Sequence, residues 1–486
     1  MKWLGWTLSS QRLQIIGLCV VALVAFHVAY ATESLGWVIG IYLLCLFRLA
    51  WVETTRMAFW LGLGIGLATV GPQLGFFWGL FGPMAVALWL VLAFWIGIFL
   101  LVARLCVGRF GDRWAMVLMP VVWVGLEYFR GELYPLRFTW LSAGLAVGGW
   151  GMVRWVGVYG VGFLVMAVVG VLHMVPRRVG LGLGVMLVLV IVMQAFERSP
   201  IGPPRPSRLN VDGASVTVVG IQTEGLGLQE ILRLLDVAIE KYPYGDLFVL
   251  SEYAFGEPVP KNVREWCARH GKYLIAGGME DAEPTFRNTA YVVGPEGEIV
   301  FSQGKRVPIQ FMRDGLAAER QALWQSPWGK IGICVCYDLS YVRVVDRLVG
   351  MGAEALIVPT MDVVAWGKRE HELHGRIGPA RAAEYGIPVV RAASSGISQI
   401  VAADGRVVAS AGFPGIGEIY VGEMVMGGRG RLPLDRWFGP VCVGGVVVVM
   451  LGLIVTSFSD GRVLVVRRGP SIQGSLAMAS RRPTGT

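Results

Sequence analysis

Three stretches of the sequence end an apolar run on a side chain able to do acid–base or covalent chemistry. In GDLFVLSEYAF, Glu252 stands at the C-terminal end of an apolar strand, the edge where α/β sheets expose catalytic and binding groups. Desolvation behind such a strand raises a carboxylate's proton affinity, which suits a general base. Taken alone, a strand-end glutamate is more often a solvated charge. In GEIVFSQGKRVPIQF, Lys305 follows a strand and precedes a proline-containing turn, with Arg306 as a neighbouring cation. A fixed ammonium there suits the oxyanion of a tetrahedral intermediate, although an exposed loop lysine needs no such role. In GICVCYDLSYVRVVDRL, Cys336 closes the run KIGICVC, and LSYVRVVDRLV reads as the following helix. A cysteine at a strand-to-helix turn meets the positive end of the helix dipole, which favours the nucleophilic thiolate. Free cysteine is also a common small core hydrophobe, so Cys336 alone leaves nucleophile and packing both open. Strand alternation sets Cys334 and Cys336 on one face, with Cys334 read as packing.

The elements that must position these residues lie between 214 and 428, where β-rich runs alternate with helix-like segments such as QEILRLLDVAIEKY and NVREWCARHG. That alternation implies a layered α/β domain. Two segments, NTAYVVGPEGEIVFSQ and SQIVAADGRVVAS, read as hairpins, so the sheet is expected to be mixed.

The rest of the chain reads as membrane protein. Its 486 residues are 55% hydrophobic and 16% charged, and the mean hydropathy is +0.58, outside the range of soluble domains. Apolar runs near 13–30, 35–52, 57–77, 84–102, 114–127, 155–175, 179–195 and 437–457 each approach the length needed to cross about 30 Å of hydrocarbon. This predicts about eight spans, the first retained rather than cleaved as a signal peptide. The expected organisation is a membrane domain over 1–199, a proline-rich linker over 200–213, a catalytic domain over 214–428, a final span over 435–458 and a disordered basic tail over 459–486. Loop arginines at 56, 104, 109, 113, 177 and 178 put the N-terminus inside and the catalytic domain outside, while Arg429, Arg431 and Arg436 fall on the wrong side for that count.

Topology therefore accounts for the net charge of +9 without nucleic acid. Seven cysteines without a CxxC pair fit neither a zinc ribbon nor a disulfide framework. In HELH the histidines 371 and 374 are three apart rather than the four that a zinc helix needs. No metal or cofactor is expected. The spans are expected to lack an ionisable cluster, which argues against a transporter.

The order Glu252, Lys305, Cys336 resembles the nitrilase or carbon-nitrogen hydrolase superfamily. With the membrane block before it and one span after, nearly the whole chain resembles the apolipoprotein N-acyltransferase family. FTWLSAGLA, LSEYAF, GICVCYDLSY, PTMDVVAWG and HGRIGPARAAEYGIPVVRAASSGIS are similar to that family's conserved segments. The resemblance implies an αββα sandwich with Glu252 as general base, Lys305 as oxyanion stabiliser and Cys336 as nucleophile. Tyr337, Asp338 and Trp366 are implied as substrate-binding, and Trp366 and Phe311 read either as a lid or acyl-chain wall or as ordinary packing. The implied reaction moves an acyl chain from a phospholipid to the α-amine of a diacylglyceryl-cysteine on an apolipoprotein, through a thioester. It implies a monomer in the bacterial inner membrane with its catalytic domain on the periplasmic side. KRVPIQFMRDG departs from the family by lacking the glutamate after the lysine loop, for which Asp314 and Glu319 are the candidates. A membrane-tethered amidase is the rival enzyme, and a noncatalytic scaffold or transporter the rival of another class.

Overall fold

The computed structural model describes residues 2–147, 151–174 and 214–459. The expected seventh span at 179–195, the linker at 200–213 and the tail beyond 459 lie outside the described residues. Twelve strands make two sheets: β1 Ser215–Ile221, β2 Leu247–Leu250, β3 Tyr273–Ala282, β4 Thr285–Val293, β5 Ile299–Gly304, β6 Leu323–Ser326, β7 Gly329–Ile333, β8 Ala355–Thr360, β9 Val389–Ala393, β10 Ser398–Val401, β11 Val407–Ala411 and β12 Ile419–Val425. Their orders are β12-β1-β2-β3-β4-β5 and β11-β10-β9-β8-β7-β6. Each sheet has a parallel centre, β1-β2-β3 or β7-β8-β9, with antiparallel flanks. The mixed sheet and both expected hairpins are present, β4 to β5 and β10 to β11. The short strand β6 was not anticipated.

Parallel strands covered on both faces need no polar side, and accordingly every residue of β2 and β8 is buried. One face of each sheet meets the other through Val218, Val249 and Ile275 against Ile331, Ile357 and Val390. The outer face of the first sheet is covered by the helices Leu228–Lys241 and Lys261–His270. Over the second sheet lie Val342–Gly350, Lys368–Gly375 and Ile377–Tyr385. The last of these has no solvent face: Ile377–Tyr385 is buried at every residue, because its far side joins the apolar cluster of the membrane helices. The architecture is thus a helix–sheet–sheet–helix sandwich whose last layer packs against the membrane block.

Four described helices are long and apolar enough to cross a membrane: Gln11–Ala31, Met84–Leu133, Val153–His173 and Asp435–Thr456. The expected runs 84–102 and 114–127 belong to one helical stretch, Met84–Tyr128, interrupted at Gly111, where φ is 77° and ψ 170°. The run expected at 35–52 contains only eleven α-helical residues, Ile39–Leu49, after a 3-10 turn Glu33–Val38. Nor is the stretch free of ionisable groups, since Glu127, Arg130 and Glu132 are all buried near its end. The two glutamates hold neighbouring elements: Glu127 Oε1 accepts from the Ala143 N–H at 2.8 Å, and Glu132 Oε1 from the Tyr159 hydroxyl at 3.0 Å.

The helix Val153–Met174 breaks at Gly157, where φ is 76° and ψ 172°. Only glycine suits this point, because a Cβ would overlap the Asp435 carboxylate. Beyond the break, a new helical segment starts with backbone N–H groups that lack partners in their own helix. Val158 N–H donates to Glu384 Oε1 at 3.0 Å and Tyr159 N–H to Asp435 Oδ2 at 3.0 Å. One carboxylate belongs to the sandwich and the other opens the last helix. Arg436 joins them, 3.1 Å from Glu384 Oε1 and 2.6 Å from Asp435 Oδ1, and also reaches Asp346 Oδ1 at 2.7 Å. Its burial also explains why it misfits a count of loop charges: it is an internal ion-pair partner.

Replacing Arg436 with Met is expected to leave buried Glu384 and Asp435 short of a cation, at a cost of about 3–5 kcal/mol. The same change at exposed Arg431 is expected to cost no more than about 0.5 kcal/mol. Denaturation midpoints of the purified protein in detergent make the comparison, and equal shifts would refute the lock.

Candidate active site

β2 delivers Glu252 two residues past its end, and Gly277 of β3 lets the backbones approach: a Cβ on Gly277 would lie 2.5 Å from the Glu252 Cα. The carboxylate is 2% exposed and engaged at both oxygens. Oε1 accepts from Lys305 Nζ at 2.8 Å and Asn288 Nδ2 at 2.5 Å, and Oε2 from the Met361 N–H at 2.6 Å. Lys305 follows β5 directly and is fully buried. Its backbone N–H donates to Asn288 O, and its carbonyl accepts from Ala318 N–H, both at 2.8 Å.

A second carboxylate grips the same ammonium. Asp314 Oδ2 lies 2.7 Å from Lys305 Nζ and also accepts from Ile309 N–H at 2.7 Å, while Oδ1 accepts from the Tyr253 hydroxyl at 2.8 Å and Asn288 Nδ2 at 2.9 Å. Of the two candidates for the missing acid, the structure brings in Asp314 and leaves Glu319 exposed. Burial works against the Lys305 charge. Glu252, Cys336 and Asp314 outweigh it and hold its proton well above the ordinary lysine range. The group is a fixed cation.

β7 ends at Ile333, so strand alternation does not run on to the nucleophile segment. Cys336 adopts φ of 52° and opens a 3-10 turn, Cys336–Ser340. The positive φ turns the side chain, placing Cys334 among the helix-side residues and Cys336 among the inter-sheet ones, rather than on a common face. The helix proper begins at Val342, so its N-terminus is not at the sulfur. Burial and then Glu252 push the thiol's proton affinity well above its ordinary value, with Lys305 pulling the other way. The dipole-activated thiolate expected from the sequence is therefore not what this geometry favours. The resting sulfur keeps its proton and needs a base before it can attack.

Tyr337 and Trp366 line a cavity of about 110 Å³ that opens beside Cys336. Asp338 is not part of its lining. Its carboxylate takes the N–H groups of Arg306 at 3.0 Å, Val307 at 2.7 Å and Val335 at 3.2 Å, which ties the lysine loop to the nucleophile turn. Burial pushes this carboxyl up to about 6. The cavity walls come from both parts of the chain: Phe76, Phe77 and Phe138 from the membrane block, Ile309, Phe311 and Trp366 from the sandwich. Phe311, 63% exposed, meets the Phe81 ring with centroids 6.3 Å apart. The membrane segment also grips the nucleophile turn, since Trp140 Nε1 donates to Ser340 Oγ at 2.9 Å and Thr139 Oγ1 to Ser340 O at 3.2 Å.

Sequence reasoning missed Asn288, Asp362 and His374. The signal that marks Asn288 is an asparagine just ahead of the apolar half of β4, TFRNTAYVV, where a buried amide must be bonded. Asp362 and His374 carry no such local mark. They meet only through the fold, with His374 Nδ1 2.7 Å from Asp362 Oδ1. With Cys336 they put one donor atom each within 4.8 Å of the others. Asp362 is already committed, to His374 through one oxygen and to Arg391 through the other. Together the groups amount to a protonated thiol in the wall of an apolar chamber, with a carboxylate acceptor and a fixed ammonium buried behind it. Such a set can take an acyl group onto sulfur.

Two families match the chain. The one described as apolipoprotein N-acyltransferase N-terminal domain matches residues 6–171, and the one described as carbon-nitrogen hydrolase matches residues 243–422. An apolipoprotein N-acyltransferase of Shewanella oneidensis is 24% identical over 421 residues, covering 72% of this chain and 78% of that protein. Omega-amidase NIT2-B of Xenopus laevis is 26% identical over 35% of this chain and 69% of its own length. Among solved structures, an amidase from a Nesterenkonia species is similar at 21% identity and a TM-score of 0.38, over 45% of this chain and 94% of that one.

Two outcomes test the electrostatics. Because the thiol pKa lies above its ordinary value, iodoacetamide alkylation of Cys336, read by peptide mass spectrometry, should climb about tenfold per pH unit from pH 7 to 9. A plateau in that range would contradict it. Acylation of Cys336 by a p-nitrophenyl ester should fall about a hundredfold in Asp314→Asn, the scale for losing one preorganised electrostatic partner. Glu319→Gln should stay within about twofold, as surface changes do; comparable losses in both would refute the choice of Asp314.

Proposed function

The chain belongs to the apolipoprotein N-acyltransferase family, within the nitrilase superfamily, and from that premise we propose that it transfers a fatty acyl group from a phospholipid to the α-amine of a diacylglyceryl-cysteine at an apolipoprotein N-terminus. In the first half-reaction Glu252 takes the Cys336 proton and the sulfur attacks the ester carbonyl. An ammonium has three N–H donors. Lys305 gives one each to Glu252 and Asp314, and the third, with the backbone N–H of Tyr337, serves the oxyanion. As the C–O bond breaks, Glu252 returns its proton to the departing lysophospholipid oxygen, leaving an acyl thioester. In the second half-reaction the amine attacks that thioester, the C–S bond breaks, and Glu252 carries a proton from nitrogen back to sulfur.

The observation that carries this reading is the shared cavity. Aromatic walls from the membrane block and from the sandwich enclose the space beside Cys336. A water-soluble amide needs no such chamber, whereas an acyl chain leaving a bilayer needs an apolar route that also keeps water off the thioester. Tyr337 and Trp366 act as walls of that route, and Asp338 positions the loop that carries Lys305. The chain, a membrane protein with several candidate spans, works as a monomer in the bacterial inner membrane with the sandwich on the extracytoplasmic side. The working parts are the membrane domain 1–199, the catalytic domain 214–428 and the final span 435–458. No cofactor takes part in the steps above.

Incubating the purified full-length protein with acyl-labelled phospholipid should give a thioester on Cys336 by mass spectrometry, absent in Cys336→Ala. Adding a diacylglyceryl-cysteinyl peptide should discharge it to an amide. Persistence of the adduct in the variant would remove Cys336 from the mechanism, and discharge to water alone would make the protein a hydrolase.

A further inference from the structure

The nucleophile has a second titratable neighbour that the steps above leave unused. His374 lies on the helix Lys368–Gly375, is 2% exposed, and lines the cavity that holds Cys336. Its Nδ1 is 2.7 Å from Asp362 Oδ1 and 3.6 Å from Glu370 Oε1. A ring nitrogen facing a carboxylate carries the proton, which leaves the other nitrogen as the basic position. That nitrogen, Nε2, is buried and has no hydrogen-bond partner among the described residues. Trp140 holds the ring by stacking, with centroids 4.7 Å apart and planes at 20°. Asp362 is held in turn by Arg391 and by Ser394 Oγ, which accepts from the Asp362 N–H at 3.0 Å.

The proton balance of the amine half-reaction calls for such a group. Near neutrality an α-amine arrives mostly as an ammonium with three protons, and the amide nitrogen of the product keeps one. Of the two that leave, one reaches the sulfur through Glu252. The other has no acceptor among the residues assigned above.

Resting on the acyl-transfer reading, we propose that His374 Nε2 accepts this second proton from the incoming ammonium, with Asp362 holding the ring, and releases it to water after transfer. The nitrogen attacks once that proton is gone, so no further reactant is required. Burial opposes an imidazolium here, and Arg391 opposes it too. Asp362 and the hydrogen bonds to Asp362 and Glu370 more than offset both and raise the ring's proton affinity above the ordinary histidine value. The other charged or titratable groups around the pair are His371, whose Nδ1 lies 3.4 Å from Glu370 Oε2, and Cys336.

The test separates the two half-reactions in the full-length protein in detergent, using His374→Gln and His374→Asn. Loading from acyl-labelled phospholipid, read as lysophospholipid release, should change less than about threefold. Discharge to a diacylglyceryl-cysteinyl peptide should fall about a hundredfold at pH 7, the usual weight of one acid–base group. The deficit should shrink at least about tenfold by pH 9, where the α-amine is already neutral. Hydroxylamine, neutral at pH 7, should discharge wild type and variants alike. Equal losses with both amines, a deficit independent of pH, or loss of loading in both variants would overturn the proposal. Wild-type protein that fails to load, or loads without acylating the peptide, would instead overturn the acyl-transfer reading.

Discussion

Most of the structure depends on how a broken helix satisfies its backbone. At Gly157 the helix Val153–Met174 stops and restarts within apolar surroundings, where an unpaired N–H costs several kcal/mol. The two N–H groups exposed there are taken by Glu384 of the sandwich and Asp435 of the last helix. Those carboxylates then require Arg436. Glu384 also pairs with Arg381, whose guanidinium donates to Leu339 O at 3.0 Å and Ser340 O at 2.7 Å. A chain of obligatory partners thus runs from the membrane helices to the turn that begins with Cys336. Removing any one member strands a buried charge, so the domains are fixed together by desolvation cost rather than by surface complementarity alone.

The same logic governs the charges at the site. Lys305 is stable as a cation only because Glu252 and Asp314 both face it. Their net negative charge then weighs against a thiolate at Cys336, and burial weighs more. The site rests with its proton on sulfur, so attack and proton transfer to Glu252 belong to one event. This differs from a cysteine activated in advance by a helix dipole, and the difference traces to burial of the sulfur beside Glu252 and to a helix that begins only at Val342.

What could be read from the sequence follows from what is local. The placement of Glu252, Lys305 and Cys336 just past strands was legible because each ends an apolar run, and the mixed pairing with its two hairpins because alternation and turn residues are short-range signals, whereas the division into two sheets was implied only by the family resemblance. The common face of Cys334 and Cys336 was misread because alternation holds only while the strand lasts, and β7 stops at Ile333. Choosing Asp314 over Glu319 depended on how a loop folds back, which residue spacing leaves open. The helix Lys368–Gly375 escaped notice for another reason: its sequence, KREHELHG, has no apolar stripe. It is nonetheless largely buried, because its contacts are polar. Arg369, and Arg376 just beyond its end, donate to the Tyr30 carbonyl at the end of the first helix, each at 2.9 Å. Cationic side chains satisfy the last carbonyls of a helix well, but only the fold brings them there.

The placement of that polar helix bears on why membrane and sandwich are parts of one site. Its arginines anchor it to the first membrane helix, and its His374 stacks on Trp140, which comes from the membrane block and also holds Ser340. Across the cavity, Gln310 Nε2 donates to Pro135 O at 2.5 Å, and Phe311 of the same loop meets Phe81. Each wall beside the sulfur is therefore a contact between the two parts, not a surface of either. A sandwich separated from its helices would keep Glu252, Lys305 and Cys336 on strand ends, yet lose the apolar enclosure that shields the reacting carbonyl from water. The membrane helices serve as half of the chamber, and the buried ion pairs at Gly157 hold that half in register with the nucleophile.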